Sequence, residues 1–233
     1  MKSSTPQTGQ DFGTLLIALL LLFVGYGLLD YADGNLNIIV LSAANYLLLT
    51  FVLVTAVVNV TRERKSAEVR AVWFLLVATI LVGFVDMRLD QRELHWLGLI
   101  LIMCCVGHTL RIVLGYLFRA REVTLDTLNA SMCAFLLLGF FWALWYALVH
   151  AIEPASFQST TLGPGEAGFG TRQMVPELYY SIVTMTTLGY GDIIPLSTTA
   201  RISAALEAVT GQVFLVVLVA RLVGLNVARS ANG

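Results

Sequence analysis

Charge is what this chain is short of. Only 12% of its 233 residues are Asp, Glu, Lys or Arg, against ~25% in soluble domains. Apolar residues make up 58%, and the mean hydropathy is +0.81. Such a chain cannot clothe itself in a water-facing surface, so composition places it in a membrane. A net charge of −1 offers nothing to nucleic acid. The three cysteines, Cys104, Cys105 and Cys133, lie inside apolar runs, where they serve as small apolar fillers rather than a disulfide or metal site. The three histidines, His95, His108 and His150, are scattered without ligand spacing. No hydrolase nucleophile, phosphate loop or zinc site is present. No enzyme activity and no cofactor is expected.

Long apolar runs are what the chain has instead. A membrane helix needs about 20 apolar residues. Six stretches approach or exceed that length: Phe12 to Leu29, Leu36 to Val60, Ala71 to Val85, Leu94 to Phe118, Leu128 to Ile152 and Thr199 to Val227. The first lacks a basic flank and a small-residue cleavage site, so a retained helix is expected rather than a leader. A half-length segment, Glu177 to Thr186, lies before the sixth run, with Pro176 where a first helical turn tolerates proline. Loop charges set the orientation. Arg62, Arg64, Lys65 and Arg70 follow the second run, Arg119 and Arg121 the fourth, and Arg221 and Arg229 lie toward the end. The opposite loops are acidic or mixed, with Asp30 and Asp33, then Asp86, Arg88, Asp90, Arg92 and Glu93. Placing the basic set inside puts both termini in the cytoplasm. It also makes Glu153 to Val175, the long Gly-, Ser- and Thr-rich loop, an external turret.

The stretch Thr184-Met185-Thr186-Thr187-Leu188-Gly189-Tyr190-Gly191-Asp192 is built to present backbone oxygens. Glycine reaches backbone angles closed to other residues, so a strand alternating ordinary and glycine geometry points successive carbonyls to one side. Thr187 adds a hydroxyl to the row. Rows of carbonyls at membrane depth replace the water shell of a cation such as K⁺, and irregular backbone is tolerated there where it lines a cavity. This segment resembles the selectivity filter of the potassium channel family, whose signature reads Thr-Val-Gly-Tyr-Gly. Leu188 stands in the Val position, a mild departure, since that residue contributes its carbonyl and not its side chain.

The resemblance covers about residues 123 to 230 and implies an outer helix, pore helix, filter and inner helix. It implies K⁺ sites at Thr187, Leu188, Gly189 and Tyr190, with Gly191 completing the filter. The C-terminal end of the pore helix would direct partial negative charge at the pore centre. Tyr179 and Tyr180 fall where the family carries an aromatic pair that packs around the filter. Asp192, at the outer mouth, would brace the pore helix and concentrate cations. Val183 stands where some members carry a bracing glutamate. That brace is absent, and Glu207 is expected to substitute from the sixth helix, since a carboxylate inside a span is a functional-site hypothesis by default. Gly211 matches an inner-helix glycine that permits bending or close helix packing. Gln212, Leu215, Val219 and Ala220 would face the cavity. One chain carries one filter strand, so a closed ring of four copies is implied. Members with two pore segments per chain dimerise.

Four helices before a pore block is the layout of voltage-gated channels, whose fourth helix carries a basic residue at every third position. Here that track reads Trp96, Leu99, Ile102, Cys105, His108, Arg111, Leu114, Leu117, and Arg111 is its one sure charge. One charge moved through the field yields about 2.3 kcal/mol per 100 mV, too little for steep gating.

The expected fold is thus an all-α membrane protein of six transmembrane helices plus a re-entrant pore helix and filter, tetrameric around the pore. Residues 1–122 would form a voltage-sensor-like, non-sensing block and 123–233 the pore domain. The expected function is passive, K⁺-selective conduction with weak or no voltage dependence. The expected partners are three further copies and membrane lipid, in a plasma membrane or bacterial inner membrane. A weakly selective cation channel and a non-conducting scaffold or sensor subunit are the competing readings.

Overall fold

The structure, a computed structural model, describes residues 12–32, 50–52, 54–55, 66–89, 92–160 and 174–231. It is helical apart from one short ribbon. The helices are α1 (Phe12–Ala32), α2 (Ser66–Leu89), α3 (Arg92–Leu117), α4 (Leu125–Ile152), α5 (Val175–Met185) and α6 (Thr198–Ala231), with strands β1 (Phe157–Ser159) and β2 (Ile193–Pro195) on either side of α5 in sequence. Among the described residues, three helices are long and apolar enough to cross a membrane: Leu94–Leu117, Leu125–Ile152 and Thr198–Leu225. Two shorter apolar helices accompany them, Phe12–Tyr26 and Trp73–Val85. Most of the expected second run lies outside the described residues, although positions 50–52 and 54–55 are helical.

Several boundaries differ from the apolar runs for one reason. Charged residues that cannot enter a membrane core are good helix formers, so helices outrun their apolar stretches. Thus α2 extends beyond the expected Ala71 to Val85, and Arg70 lies in the helix rather than in a loop. Only residues 90–91 separate α2 from α3. Further on, Thr124 caps α4: its hydroxyl accepts from the Thr127 N–H, and the Thr127 side chain answers to the Thr124 N–H, which fixes the helix start by a reciprocal capping box. Ser197 likewise accepts from the Ala200 N–H at 3.1 Å and starts α6. Pro176 stands in the first turn of α5, and Met174 before it is left-handed, φ 52.

The ribbon corrects the all-α expectation. Phe157 pairs with Pro195, Gln158 with Ile194 and Ser159 with Ile193, antiparallel. The Thr160 N–H continues the pairing to the Asp192 carbonyl, 2.7 Å. The start of the expected turret is therefore stitched to the chain leaving the filter. Residues 161–173 lie outside the described residues.

Packing runs without a break across residue 122. Leu15, Leu19 and Leu22 of α1, Val106 and Val113 of α3, and Leu137 and Leu144 of α4 share one buried core. The Phe12 and Tyr116 rings meet at 4.7 Å, and the Cys133 thiol donates to the Phe12 carbonyl. At the opposite end of α6 from the filter, Arg221 grips the end of α3 and the turn beyond it. Its Nε donates to the Leu117 carbonyl at 3.0 Å and its Nη2 to the Ala120 carbonyl at 2.8 Å, with Phe118 beneath its guanidinium. The last carbonyls of a helix lack partners within it, and Arg221 supplies them.

Candidate functional site: filter and pore helix

The filter begins where α5 ends, and main-chain bonds turn it off the helix. The Thr186 N–H donates to the Ile182 carbonyl at 3.0 Å, and the Leu188 and Gly189 N–H groups both donate to the Val183 carbonyl, at 2.9 and 3.3 Å. Val183, without the glutamate, thus holds the first turn of the filter through its backbone. Beyond this turn the backbone alternates. Thr187, Gly189 and Gly191 have φ of 59°, 54° and 76°, and Leu188 and Tyr190 between them are not left-handed. Opposite-handed residues in alternation turn successive peptide carbonyls toward one side. A left-handed, β-branched Thr187 is a genuine outlier. The sequence indicated its hydroxyl and not its backbone strain.

None of the carbonyls of Thr187 to Gly191 accepts a main-chain hydrogen bond among the described residues. All five residues are exposed in the single chain. A Cβ on Gly189 or Gly191 would meet nothing within 4 Å. In the single chain these glycines are therefore present for their angles and not for want of space.

The two tyrosines divide their work. Tyr179 is partly exposed, and its hydroxyl donates to Asp192 Oδ2 at 2.5 Å. Asp192 Oδ1 accepts from the Ile193 N–H at 3.1 Å. The outer end of the filter is so tied to α5. That bond to Asp192, ahead of desolvation, pushes the Tyr179 phenol up to about 12. Tyr180 turns the other way, into an aromatic cage with Tyr146 of α4 and Phe157 of β1, ring centroids 5.0 and 5.3 Å away and edge-on. Within the single chain Tyr180 anchors α5 to α4 and the ribbon.

Glu207 lies fully buried behind α5. Tyr146 Oη donates to its Oε2 at 2.5 Å, and Ser181 Oγ stands 2.5 Å from its Oε1. Ser181 Oγ is also 2.7 Å from the Gly139 carbonyl of α4. One carboxyl group therefore bonds outer helix, pore helix and inner helix together. Beside it the Trp145 indole donates to Ser203 Oγ at 2.8 Å. Sequence reasoning missed Tyr146, Ser181, Gly139 and Phe157. Tyr146 is one aromatic in the run Phe140-Phe141-Trp142, Ala143-Leu144-Trp145-Tyr146, and nothing local sets it apart.

Gly211 lies at a close helix contact. A Cβ there would lie 2.6 Å from the carbonyl oxygen of Met185, the last residue of α5. Its missing side chain is what lets the inner helix touch the end of the pore helix. Gln212, Leu215, Val219 and Ala220 all lie on exposed surface of α6. Only 6% of the most apolar window of α6 is buried within the chain, against 56% for α4. Among the described residues no cluster of His, Cys, Asp and Glu could hold a metal ion.

Comparison with known proteins agrees with this geometry. A family model described as an ion channel matches residues 155–227, from β1 through most of α6. That segment is similar to an ion channel domain. Two curated relatives, both from Arabidopsis thaliana, are similar to the chain. "Two-pore potassium channel 4" is 32% identical over 103 residues, 44% of this chain and 34% of that protein. "Two-pore potassium channel 1" is 42% identical over 55 residues, 24% of this chain and 15% of that protein. The chain thus spans about a third or less of the length of these relatives. No solved structure matches it significantly. The matched part of the chain is thus similar to an ion channel model and to stretches of two potassium channels.

Proposed function

We propose that the chain is one subunit of a homotetrameric channel that conducts K⁺ passively and selectively. The observation that carries this is the alternation of left-handed backbone at Thr187, Gly189 and Gly191, with the intervening carbonyls uncommitted. Such a row replaces a cation's hydration shell, with K⁺ held at Thr187, Leu188, Gly189 and Tyr190. The relatives' names speak of two pores, whereas this chain has a single filter segment. One strand cannot surround an ion, so four copies close the ring. The uncovered face of α6 supports that reading: an apolar helix with Gln212 on exposed surface suits a lumen better than lipid.

On this reading each subunit crosses the membrane six times, with both termini in the cytoplasm and residues 1–122 preceding a pore domain of 123–233. Asp192 and Tyr179 hold the outer mouth, Glu207 and Tyr180 hold α5 from behind, and Gly211 seats the inner helix. Lone Arg111 leaves the conductance weakly dependent on voltage or independent of it. The membrane is a plasma membrane or bacterial inner membrane. Bi-ionic reversal potentials in a planar bilayer test the selectivity. A reversal potential far from zero, with K⁺ preferred over Na⁺, is expected; a value near zero means a weakly selective cation channel. Native mass of the purified protein tests the assembly, with four copies expected.

A further inference from the structure

Tyr146 of α4, Ser181 of α5 and Glu207 of α6 are each fully buried, and they meet where the three helices touch. The hydrogens available to them are few. A tyrosine or serine hydroxyl brings one, and a main-chain carbonyl brings none. Tyr146 spends its hydrogen on Glu207 Oε2, 2.5 Å away. Ser181 Oγ has two oxygens in bonding range, Glu207 Oε1 at 2.5 Å and the Gly139 carbonyl at 2.7 Å. One hydrogen does not fill two short contacts pointing to different helices. The Gly139 carbonyl has none to give, so the missing hydrogen belongs on Glu207.

The count then closes. The Tyr146 hydroxyl donates to Oε2, the Glu207 carboxylic acid donates from Oε1 to Ser181 Oγ, and the Ser181 hydroxyl donates to the Gly139 carbonyl. With Glu207 ionised, one contact would have no hydrogen. The anion would also lie without an ion-pair partner among the described residues, at membrane depth, where a lone charge is expensive. The titratable groups facing it are Tyr146 from α4 and Tyr180 from α5, neither of them a cation. Gly139 eases the close approach of the helices, since a Cβ there would meet the Cδ1 tip of Ile182 on α5 at 2.8 Å.

We propose that Glu207 is held as a neutral carboxylic acid, and that the relay Tyr146–Glu207–Ser181–Gly139 positions the pore helix, so that loss of the Glu207 proton releases the filter. The inference rests on the channel reading above. Ser181 is one turn ahead of Met185, where the filter begins, so the relay acts on the filter through α5. Glu207, Ser181 and Tyr146 are positioning residues, since none of them faces the ion row.

The test uses the full chain, purified and reconstituted in liposomes, with K⁺ flux read from neutral to alkaline pH. Wild-type flux is expected to fall reversibly, by about tenfold for each pH unit beyond the midpoint of the titration. Glu207→Ala is expected to lose flux throughout. Glu207→Gln offers an amide N–H to Ser181 and an amide oxygen to Tyr146, and is expected to restore flux relative to Glu207→Ala while flattening the pH profile. Infrared difference spectra of wild type minus Glu207→Gln at neutral pH are expected to show the carbonyl band of a protonated carboxyl group. A carboxylate band in its place, or a pH profile shared by wild type and Glu207→Gln, overturns the proposal. Wild-type protein without flux at any pH would defeat the channel reading, and the infrared band would still decide the protonation state.

Discussion

Thr187 shows how much one backbone angle matters. A β-branched residue in the left-handed region costs about 1–2 kcal/mol, and its φ of 59° continues the alternation that Gly189 and Gly191 carry without strain. The two glycines were legible in the sequence because only glycine reaches those angles freely. Thr187 was legible only as a hydroxyl, since nothing in a threonine announces an unfavourable φ. Tyr179 and Tyr180 teach the same lesson. Adjacent positions on a helix point in different directions, so an aromatic pair in sequence is not a pair in space. The Tyr179–Asp192 bond yields a prediction with a definite sign. A phenol raised to about 12 from the ordinary 10 stays protonated in the folded state where it would ionise in the unfolded one. The tie therefore contributes fully below pH 10 and is lost as pH rises through about 12. Tyr179→Phe removes it at every pH and leaves the Asp192 carboxylate with the Ile193 N–H alone. Flux through reconstituted Tyr179→Phe should decay faster than wild-type flux when external K⁺ is withdrawn; equal decay would show that the tie does not steady the filter.

At the scale of elements, glycines set how closely α4, α5 and α6 approach. A Cβ at Gly211 would meet the Met185 carbonyl oxygen at 2.6 Å, while one at Gly139 would meet the Cδ1 tip of Ile182 at 2.8 Å. A side-chain tip can rotate aside and a helix carbonyl cannot. Overpacking costs typically ~1–3 kcal/mol. Gly211→Ala should therefore lower the thermal midpoint of the assembled protein more than Gly139→Ala, and thermal unfolding of the two variants in detergent checks the order. The reverse order, or no effect at Gly211, would return that glycine to the role of a hinge. The helices themselves were largely legible, because an apolar run of membrane length leaves few alternatives. Their ends were not, because Ser66 to Arg70 reads as a charged loop until the backbone is seen to be helical. The β1–β2 ribbon left no signal either: three residues a side are too few for alternation to show, and its partners lie on opposite sides of α5 in sequence.

The whole molecule poses the question of the helices that precede the pore. α1 and α3 share a continuous core with α4, and Arg221 fastens the far end of α6 to the end of α3. These helices are therefore mechanically joined to α4 and α6. They have little charge with which to sense voltage: along the every-third track of α3 only Arg111 is sure, and its Nη2 lies 3.4 Å from His108 Nδ1. Conductance–voltage curves are expected to be shallow, and Arg111→Gln should leave their slope unchanged; a steep curve that flattens in that variant would make α3 a sensor. The proposed assembly rests on a different argument, the single filter strand, since one strand cannot enclose an ion.

The central claim, that the row of carbonyls from Thr187 to Tyr190 passes K⁺, is tested most directly by flux from liposomes holding the purified protein, with Na⁺ as the comparison ion and Gly189→Ala as the control. In the single chain an added methyl group at Gly189 meets nothing within 4 Å but must adopt φ 54°, so the variant should still fold and assemble while losing the alternation. The account predicts K⁺ flux well above Na⁺ flux in the wild type and neither in Gly189→Ala. Equal flux of the two ions, or K⁺ flux that survives in Gly189→Ala, would contradict it.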